Sequence, residues 1–252
     1  MLKEERRSEI LKELEERKVV KVLELSNKYD VGIETIRRDL DCLEKLGKVR
    51  KVYGGAELPD ENSEIINYAE RLTIEVDEKN EIVEKAVALI EEGDSISLND
   101  GSTTLFLAKL LKKRFEKLTI LTNSLDIAQE LLDAKGYDVI MAGGFLSHEE
   151  RAFFGVYSEA IISNFIIDKA FIGVSGVSLC NGITDMSTSE ANIQKKFIEN
   201  SKESFILVNS SKIEKDSLVK VCPLDKVNTF ISDSKVSGDI RLSYKNEGIE
   251  IL

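Results

Sequence analysis

The chain has 252 residues, of which 42% are hydrophobic and 32% are charged, and its formal net charge is −11. This balance is typical of a folded protein of one or two domains and excludes a largely disordered chain. No apolar run approaches the roughly 20 residues that span a bilayer, so a membrane protein is disfavoured. The charged start "MLKEERRSEI" is unlike a signal peptide, and we expect a cytoplasmic protein.

Cysteine and histidine content disfavours several kinds of site. The three cysteines are scattered without CxxC spacing, which argues against a disulfide framework or a zinc site. His148 is the only histidine, which argues against a His-rich metal centre and a His-dependent catalytic triad. We therefore expect neither a metal nor a cofactor.

Charge separates the first 57 residues from the rest of the chain. Residues 1–57 contain 14 Lys and Arg against 13 Asp and Glu, a net charge of +1, whereas the remainder has 21 against 33, a net charge of −12. Apolar residues at helical spacing in the first segment predict three helices, over about 3–17, 19–30 and 31–47. A short β-hairpin is predicted next, because β-formers precede Gly54 and Gly55. Three helices and a hairpin are the order of a winged helix-turn-helix.

The third predicted helix contains "ETIRRDL" (34–40), with two adjacent arginines on its polar face. If its apolar stripe faces inward, Thr35, Arg37 and Arg38 lie outside on the first two turns. In a helix-turn-helix these positions reach base edges in the major groove, where arginine pairs bidentately with guanine. The alternative is a solvated surface with i,i+4 pairs between Glu34 and Arg38 and between Arg37 and Asp41, each worth a few tenths of a kcal/mol.

A second cationic feature favours DNA over the solvated surface. The run "KLGKVRK" (45–51) has four cations and no acid, at the place where a wing would lie. Flanking cations of this kind hold phosphates. The predicted DNA-binding residues are Thr35, Arg37, Arg38, Lys48, Arg50, Lys51 and Tyr53.

The segment "VGIETIRRDLDCLEKLGKVRKVYGGA" (31–56) resembles the signature of the DeoR family of bacterial transcriptional regulators. The matching residues are Thr35, Ile36, Arg37, Arg38, Asp39, Leu40, Leu43, Gly47, Arg50, Tyr53, Gly54, Gly55 and Ala56. The resemblance implies that Arg37 and Arg38 contact DNA and that Asp39 is a structural partner within the head. Gly32 departs from the usual serine at the helix N-cap, which costs only a few tenths of a kcal/mol.

After a polar segment, strands and helices alternate to the end of the chain, which predicts a mostly parallel sheet covered on both faces. Polar residues follow five predicted strands, in "NDGSTT", "TNS", "AGG", "VSGVSLCNGITDMSTSEA" and "NSSK". Ligands of open α/β sheets bind beyond the carboxyl ends of the strands. The first of these segments opens a helix, where backbone N–H groups and hydroxyls suit a phosphate, although a Ser/Thr-rich helix cap would have the same composition.

The DeoR resemblance extends over this half and implies the site residues. The family's sensor domain is similar in fold to ribose-5-phosphate isomerase and binds phosphorylated sugars or related metabolites. The residues that match its loops, or join them in the expected site, are Asn99, Asp100, Gly101, Ser102, Thr103, Thr104, Asn123, Ser124, Gly143, Gly144, Asp185, Glu190 and Lys212.

Within this site we expect the phosphate at the backbone of 100–104, with Lys212 as its countercharge. The hydroxyl groups of the ligand would contact Asn123, Asp185 and Glu190. Arg151 is a weaker phosphate candidate, for which a plain surface charge is the favoured interpretation, and His148 is interpreted as an exposed loop residue. The family commonly has aspartate at the positions of Asn99 and Asn209 and often threonine at that of Ser102, so the ligand stays open.

The resulting prediction is an α/β protein with a winged helix-turn-helix DNA-binding domain (1–57), a linker (58–76) and an effector-sensing α/β domain (77–252). It would regulate sugar-metabolism genes, as a repressor controlled by a phosphorylated sugar, and act as a dimer or tetramer on double-stranded operator DNA. One alternative is a phosphosugar isomerase-like or CoA-transferase-like enzyme, with Glu190 or Asp185 as its base. A protein-interaction module without DNA binding is disfavoured by the cationic wing.

Overall fold

The computed structural model describes residues 3–17, 19–45, 48–52, 54–57 and 67–252. The chain divides into two compact units, an N-terminal unit of residues 1–73 and a C-terminal unit of residues 74–252. The division lies inside the predicted linker, whose last residues contain a short helix, Tyr68–Arg71. Among the helices that the structure describes, none has the length and hydrophobicity that a membrane span requires.

The N-terminal unit has three main helices and a small antiparallel sheet. Its elements are α1 (Lys3–Arg17), β1 (Val19–Lys21), α2 (Val22–Tyr29), α3 (Ile33–Lys45), β2 (Arg50–Val52), β3 (Gly55–Glu57) and α4 (Tyr68–Arg71). The strands lie in the order β1-β3-β2. Apolar residues from the three main helices form one core, with Ile10, Ile36 and Leu40 at its centre. The three helices followed by a β2–β3 hairpin match the predicted winged helix-turn-helix.

Two details of this unit differ from the prediction. The second helix begins at Val22 rather than near residue 19, because Val19–Lys21 pairs with β3 as a strand. The two β-branched valines, Val19 and Val20, favour a strand over a first helical turn. Ile33, assigned to the inward stripe, is 39% exposed, because it starts α3 where the helix leaves the core.

The C-terminal unit has a central parallel sheet with helices around it. Its first half contains α5 (Val76–Val87), β4 (Ser95–Leu98), α6 (Ser102–Arg114), β5 (Thr119–Thr122), α7 (Leu125–Glu130), β6 (Asp138–Met141), β7 (Phe145–Ser147), β8 (Ala152–Phe154) and α8 (Val156–Ile162). Its second half contains β9 (Ile167–Gly173), β10 (Gly176–Ser178), β11 (Gly182–Asp185), α9 (Thr188–Glu199), β12 (Ser201–Leu207), β13 (Val219–Cys222), β14 (Thr229–Ile231) and α10 (Gly238–Asn246), with 3-10 turns at Ser210–Lys212 and Leu224–Lys226.

The central sheet determines where the polar loops meet. Its strand order is β14-β12-β9-β4-β5-β6, and every neighbouring pair is parallel. The chain progresses from β4 outward to β6 and then returns to the other side of β4 with β9. This reversal between β4 and β9 is the topological switch point, beside which open α/β sheets form a ligand crevice. The predicted mostly parallel sheet is therefore confirmed.

Several elements of the C-terminal unit were not predicted. A second sheet, β10-β11-β13, is antiparallel, and β7 and β8 form a separate hairpin. These strands are defined by antiparallel partners in the tertiary structure and not by the alternation of strands and helices along the chain. Residues 249–252, predicted as a strand, form one isolated bridge beside Phe230 and cover the β14 edge of the sheet.

Candidate functional site

Helix α3 presents its arginine pair to solvent. Ile36, Leu40 and Leu43 are at most 2% exposed and hold the helix in the core, whereas Arg37 and Arg38 on the other face are exposed. Arg37 Nη1 is 3.7 Å from Glu34, which at this exposure is a weak pair. Among the described residues Arg38 has no ion-pair partner. Both guanidinium groups are thus available to an anionic surface at small cost.

Asp39, between these arginines and the core, has a structural role. Its carboxylate accepts from Arg6 Nε at 2.6 Å and from Arg7 Nε at 3.0 Å, and its side chain is only 2% exposed. The two bonds tie α1 to α3. The role that the family resemblance implied for Asp39 is therefore confirmed.

The wing carries further cations beside α3. Lys48 and Lys51 are exposed, and the Lys51 ammonium pairs with Asp41, which raises the pKa of Lys51. The pair is solvated, so a phosphate competes for the ammonium at small cost. Tyr53 and the side chain of Arg50, both predicted to meet DNA, lie outside the described residues.

The carboxyl ends of β4, β5 and β9 are joined by two asparagine side chains. Asn99 donates from Nδ2 to the Gly173 carbonyl at 2.9 Å and accepts from the Gly173 amide at 2.8 Å, so it bridges β4 and β9 as a peptide group would. Asn123 accepts from the Asp100 amide at 3.0 Å and donates to the Asp100 carboxylate at 2.9 Å. An aspartate at 99 could accept from the Gly173 amide but could not donate to the Gly173 carbonyl, so this second bond depends on the side-chain amide.

Residues 101–104 form the start of α6 in the arrangement predicted for a phosphate. Gly101 precedes the helix at φ +156°, a conformation that L side chains rarely adopt, and makes no side-chain cap bond. The first-turn amides of Ser102, Thr103 and Thr104 therefore keep the donor capacity of an uncapped helix start. The Thr104 hydroxyl is committed to the loop, since it donates to the Asn99 carbonyl at 2.8 Å.

Asp185 is surrounded by protein donors. Its carboxylate accepts from the hydroxyl and amide of Ser175, from the Met186 amide and from Gln194 Nε2, at distances from 2.5 to 3.2 Å. The residue is 2% exposed. It fixes the loop after β9, and a ligand hydroxyl would have to compete with these donors. Its predicted contact with a ligand stays a prediction.

Three carboxylates meet at the site edge, and we call Asp100, Glu150 and Glu190 the acidic cluster. One oxygen of each lies within 4.8 Å of the others. Burial, followed by the charges of Asp185 and Asp100, raises the pKa of Glu190 to about 8, against the opposing effect of the Ser187 hydroxyl that donates to Glu190 at 2.7 Å. Like charges this close cannot all ionise at low cost, so the cluster retains a proton near neutral pH.

Glu150 was not predicted as a site residue. It belongs to "SHEER", which reads as a charged surface loop, and no local pattern distinguishes it from Glu149. The loop returns to the site because the Arg151 carbonyl accepts from the Leu125 amide at 2.9 Å. Arg151 itself pairs with Asp126 at 2.6 Å and is half-exposed, as expected of a surface charge.

The remaining predicted residues line the same edge. Ser124 caps α7 by accepting from the Ile127 amide at 3.3 Å. Gly143 has open space around it, whereas a Cβ at Gly144 would lie 2.3 Å from Ser158 Oγ, so the backbone there needs glycine. Lys212 Nζ donates to the Val174 carbonyl at 3.1 Å, beyond the end of β9.

Family comparisons agree with both units. Residues 6–62 match a model described as the DeoR-like helix-turn-helix domain, and residues 74–234 match the DeoR C terminal sensor domain. The chain belongs to the DeoR family. The DeoR-family membership that the motifs at 31–56 implied is thereby confirmed.

Named DeoR-family relatives are similar over nearly their whole length. The putative aga operon transcriptional repressor of Escherichia coli O157:H7 is 29% identical over 98% of this chain and 93% of that protein. The transcriptional repressor GlcR of Bacillus subtilis is 31% identical over 100% of this chain and 96% of that protein. Ribose 5-phosphate isomerase A of Methanocaldococcus jannaschii aligns at 18% identity over 54% of each chain, with a TM-score of 0.40.

Proposed function

We propose that this DeoR-family protein represses sugar-metabolism genes and that a phosphorylated sugar bound at the edge of the C-terminal sheet controls it. The observation that carries the proposal is the coexistence in one chain of an exposed arginine pair on α3 and an uncapped helix start at a switch point. The first feature suits a DNA backbone and base edges, and the second suits a phosphate. Two relatives are named as transcriptional repressors, one of them of the aga operon, and these names support repression.

Arg37 and Arg38 are proposed to read the operator. Each is expected to contribute about 1–3 kcal/mol of discrimination, so Arg37→Ala or Arg38→Ala should weaken binding roughly 5- to 150-fold. Gel-shift titration on the DNA upstream of the gene measures the effect, and Lys245→Ala on α10 is a matched control for loss of one exposed cation. Equal binding by all three variants would contradict the assignment.

The wing lysines are proposed to contact phosphates without reading sequence. Lys48→Ala should therefore weaken binding to specific and unrelated DNA by a similar factor. It should also reduce the slope of log K against log salt concentration by about 1. A change confined to the operator would instead indicate a base contact.

The effector is proposed to place its phosphate on the amides of 102–104, with Lys212 as countercharge. Its hydroxyls would reach Asn123, Asp185 and the acidic cluster, which includes Glu150, a residue not predicted from the sequence. A protonated Glu190 can donate as well as accept, so the cluster suits a polyhydroxylated ligand.

Thermal shifts with a panel of sugar phosphates test the effector directly. A ligand at about 100 times its Kd adds about 2.7 kcal/mol to native stability, which raises Tm by roughly 5–10 °C for a unit of this size. The dephosphorylated sugars and inorganic phosphate are the controls. If only the dephosphorylated sugars raised the Tm, the proposed phosphate position would be contradicted. If no member of the panel raised the Tm, the effector class would be contradicted.

A homo-oligomer, dimeric or tetrameric, is proposed because paired N-terminal units on repeated half-sites multiply a modest single-site affinity. Sedimentation of the free protein gives the oligomeric state. Footprinting should then show half-sites spaced by one helical turn, about 34 Å, or a multiple of it. Protection of one isolated half-site by a monomer would contradict the proposal.

The proposal assigns no catalytic role to the acidic cluster. A raised pKa is also found in catalytic bases, so the enzyme alternative needs its own measurement. An isomerase would exchange the proton α to the carbonyl of a sugar phosphate in D2O. We expect exchange at the uncatalysed rate, and faster exchange that Glu190→Gln abolishes would favour the enzyme.

A further inference from the structure

Helix α5 opens the C-terminal unit, and loops beyond β12 and β14 hold its N-terminal half. Lys235 pairs with Glu78, and the amide and hydroxyl of Ser234 both donate to Glu81 at 2.9 Å. These contacts attach the helix to the same edge of the sheet as the candidate effector site. They come from the β14 loop, which carries none of the predicted effector residues.

A different contact holds the residue in front of α5. Asn209, after β12, donates from Nδ2 to Glu75 Oε2 at 3.0 Å and is 2% exposed. Glu75 has φ +48°, in the left-handed region that a non-glycine residue keeps only when its surroundings impose it. The Glu75 carbonyl accepts from the Lys79 amide at 3.1 Å, and the Lys79 ammonium donates to the Ile74 carbonyl. Asn209 and Lys79 thus fix residues 74 and 75.

Asn209 is also part of the turn that carries the predicted phosphate countercharge. The Asn209 carbonyl accepts from the Lys212 amide at 2.9 Å, and the Lys212 ammonium reaches the Val174 carbonyl at 3.1 Å. One 3-10 turn therefore connects the ammonium group to the carboxamide that holds Glu75. No predicted effector residue other than Lys212 lies in this turn.

We propose that the Asn209–Glu75 hydrogen bond transmits effector binding from the turn 209–212 to residues 74–75, which directly follow the N-terminal unit. The inference rests on the proposed function, because it requires an anionic effector near Lys212. A phosphate that attracts the Lys212 ammonium away from Val174 shifts the turn and the Asn209 carboxamide with it. Released from this contact, Glu75 leaves the left-handed region, and the chain in front of α5 changes direction.

Asn209 is accordingly a positioning residue that touches no effector atom. Coupling between two sites requires an element with two states that the ligand binds with different affinity. The made and broken Asn209–Glu75 contact is that element. Loss of the contact should leave effector affinity nearly unchanged and remove the effect of the effector on DNA binding.

Gel-shift titration of the full chain, with and without a saturating probe, measures this coupling. The probes are glucose 6-phosphate, fructose 1-phosphate, fructose 6-phosphate and ribose 5-phosphate, and the DNA is the region upstream of the gene. In the wild type the active probe should change the DNA Kd by roughly 5- to 150-fold. In Asn209→Ala and Glu75→Ala the change should fall below about 2-fold, with the probe Kd from thermal shifts within about 3-fold of wild type.

Two variants separate this contact from general disturbance of α5. Glu75→Gln keeps an oxygen that accepts from Asn209 and should retain the coupling. Glu78→Ala removes the neighbouring contact with Lys235 and should retain it too. The double variant Asn209→Ala/Glu75→Ala should lose no more coupling than either single variant, since both remove one interaction.

The possible results have distinct meanings. Wild-type coupling in Asn209→Ala and Glu75→Ala would overturn the inference, and so would an equal loss in Glu78→Ala. If no probe shifts the Tm of the wild type, the proposed effector class fails and the inference falls with it. If probes bind the wild type without altering DNA binding, the regulatory part of the proposed function fails together with the inference, although the binding site stands.

Discussion

Replacing Glu190 by glutamine tests the electrostatics of the acidic cluster. Burial and the charges of Asp185 and Asp100 raise the pKa of Glu190 from its ordinary 4.5 to about 8 in the folded protein. Glutamine keeps the shape and the oxygen that accepts from Ser187 but cannot ionise. The variant therefore removes one titration and little else.

The sign of the effect follows from proton linkage. Between pH 4.5 and 8 the unfolded chain ionises Glu190 while the folded protein keeps it protonated, so the free energy of unfolding decreases as pH rises. One pKa unit corresponds to about 1.4 kcal/mol, so the full shift sets an upper limit of about 5 kcal/mol. Because relaxation of the cluster and penetration of water reduce this value, we expect Glu190→Gln to be about 2 kcal/mol more stable than wild type at pH 8.5. At pH 4.5 the two should be nearly equal.

Urea unfolding of both proteins between pH 4.5 and 9, followed by far-UV circular dichroism, measures the difference. Glu247→Gln, an exposed position after α10, is the matched control and should follow the wild-type curve. A constant difference between Glu190→Gln and wild type across this range would mean that Glu190 ionises normally. The proposed proton on the acidic cluster would then be wrong.

Three further predictions concern the framework of the two units. Asp39→Ala leaves the buried Arg6 guanidinium without this carboxylate and removes one contact of the part-buried Arg7, so it should cost about 3–5 kcal/mol in unfolding experiments on the N-terminal unit's transition; a loss below 1 kcal/mol would contradict the buried ion pair. Asn99→Asp places a carboxylate oxygen against the Gly173 carbonyl, which keeps only the longer bond from Gln194 Nε2 at 3.3 Å, and should cost about 1–3 kcal/mol by urea unfolding, with unchanged stability as the refuting result. Gly144→Ala should cost about 1–3 kcal/mol in the same assay, because its Cβ would meet backbone at 2.6 Å, whereas Gly143→Ala, in open space, should cost less than 1.

Much of the fold could be predicted from local patterns. Apolar spacing located α3 within two residues at each end, and six predicted strands occupy one parallel sheet. These elements were detectable because the strands of the parallel sheet alternate along the chain with helices of recognisable apolar spacing. The strands β7, β10 and β13 were not predicted from the sequence, because tertiary pairing rather than intrinsic preference determines them.

The candidate site could be predicted only in part. The family motifs predicted that Asp100, Asn123 and Glu190 belong to one site, and all three lie at the same edge of the sheet. They did not distinguish a polar group that is open to a ligand from one that already hydrogen-bonds to the protein, as the Thr104 hydroxyl and the Asp185 carboxylate do. That distinction depends on which donors surround each group, and those donors come from distant parts of the chain.

The sequence by itself determined the arginine pair on the third helix, the near-neutral charge of the first 57 residues, the six strands of the parallel sheet and the helix start at 101–104. Each of these depends on residues close together in the chain. Only the tertiary structure decided that Glu150 joins the acidic cluster and that Asn209 holds Glu75, 134 positions away. Both contacts exist because the parallel sheet brings the ends of separated strands to one edge, and no local pattern encodes which side chains meet there.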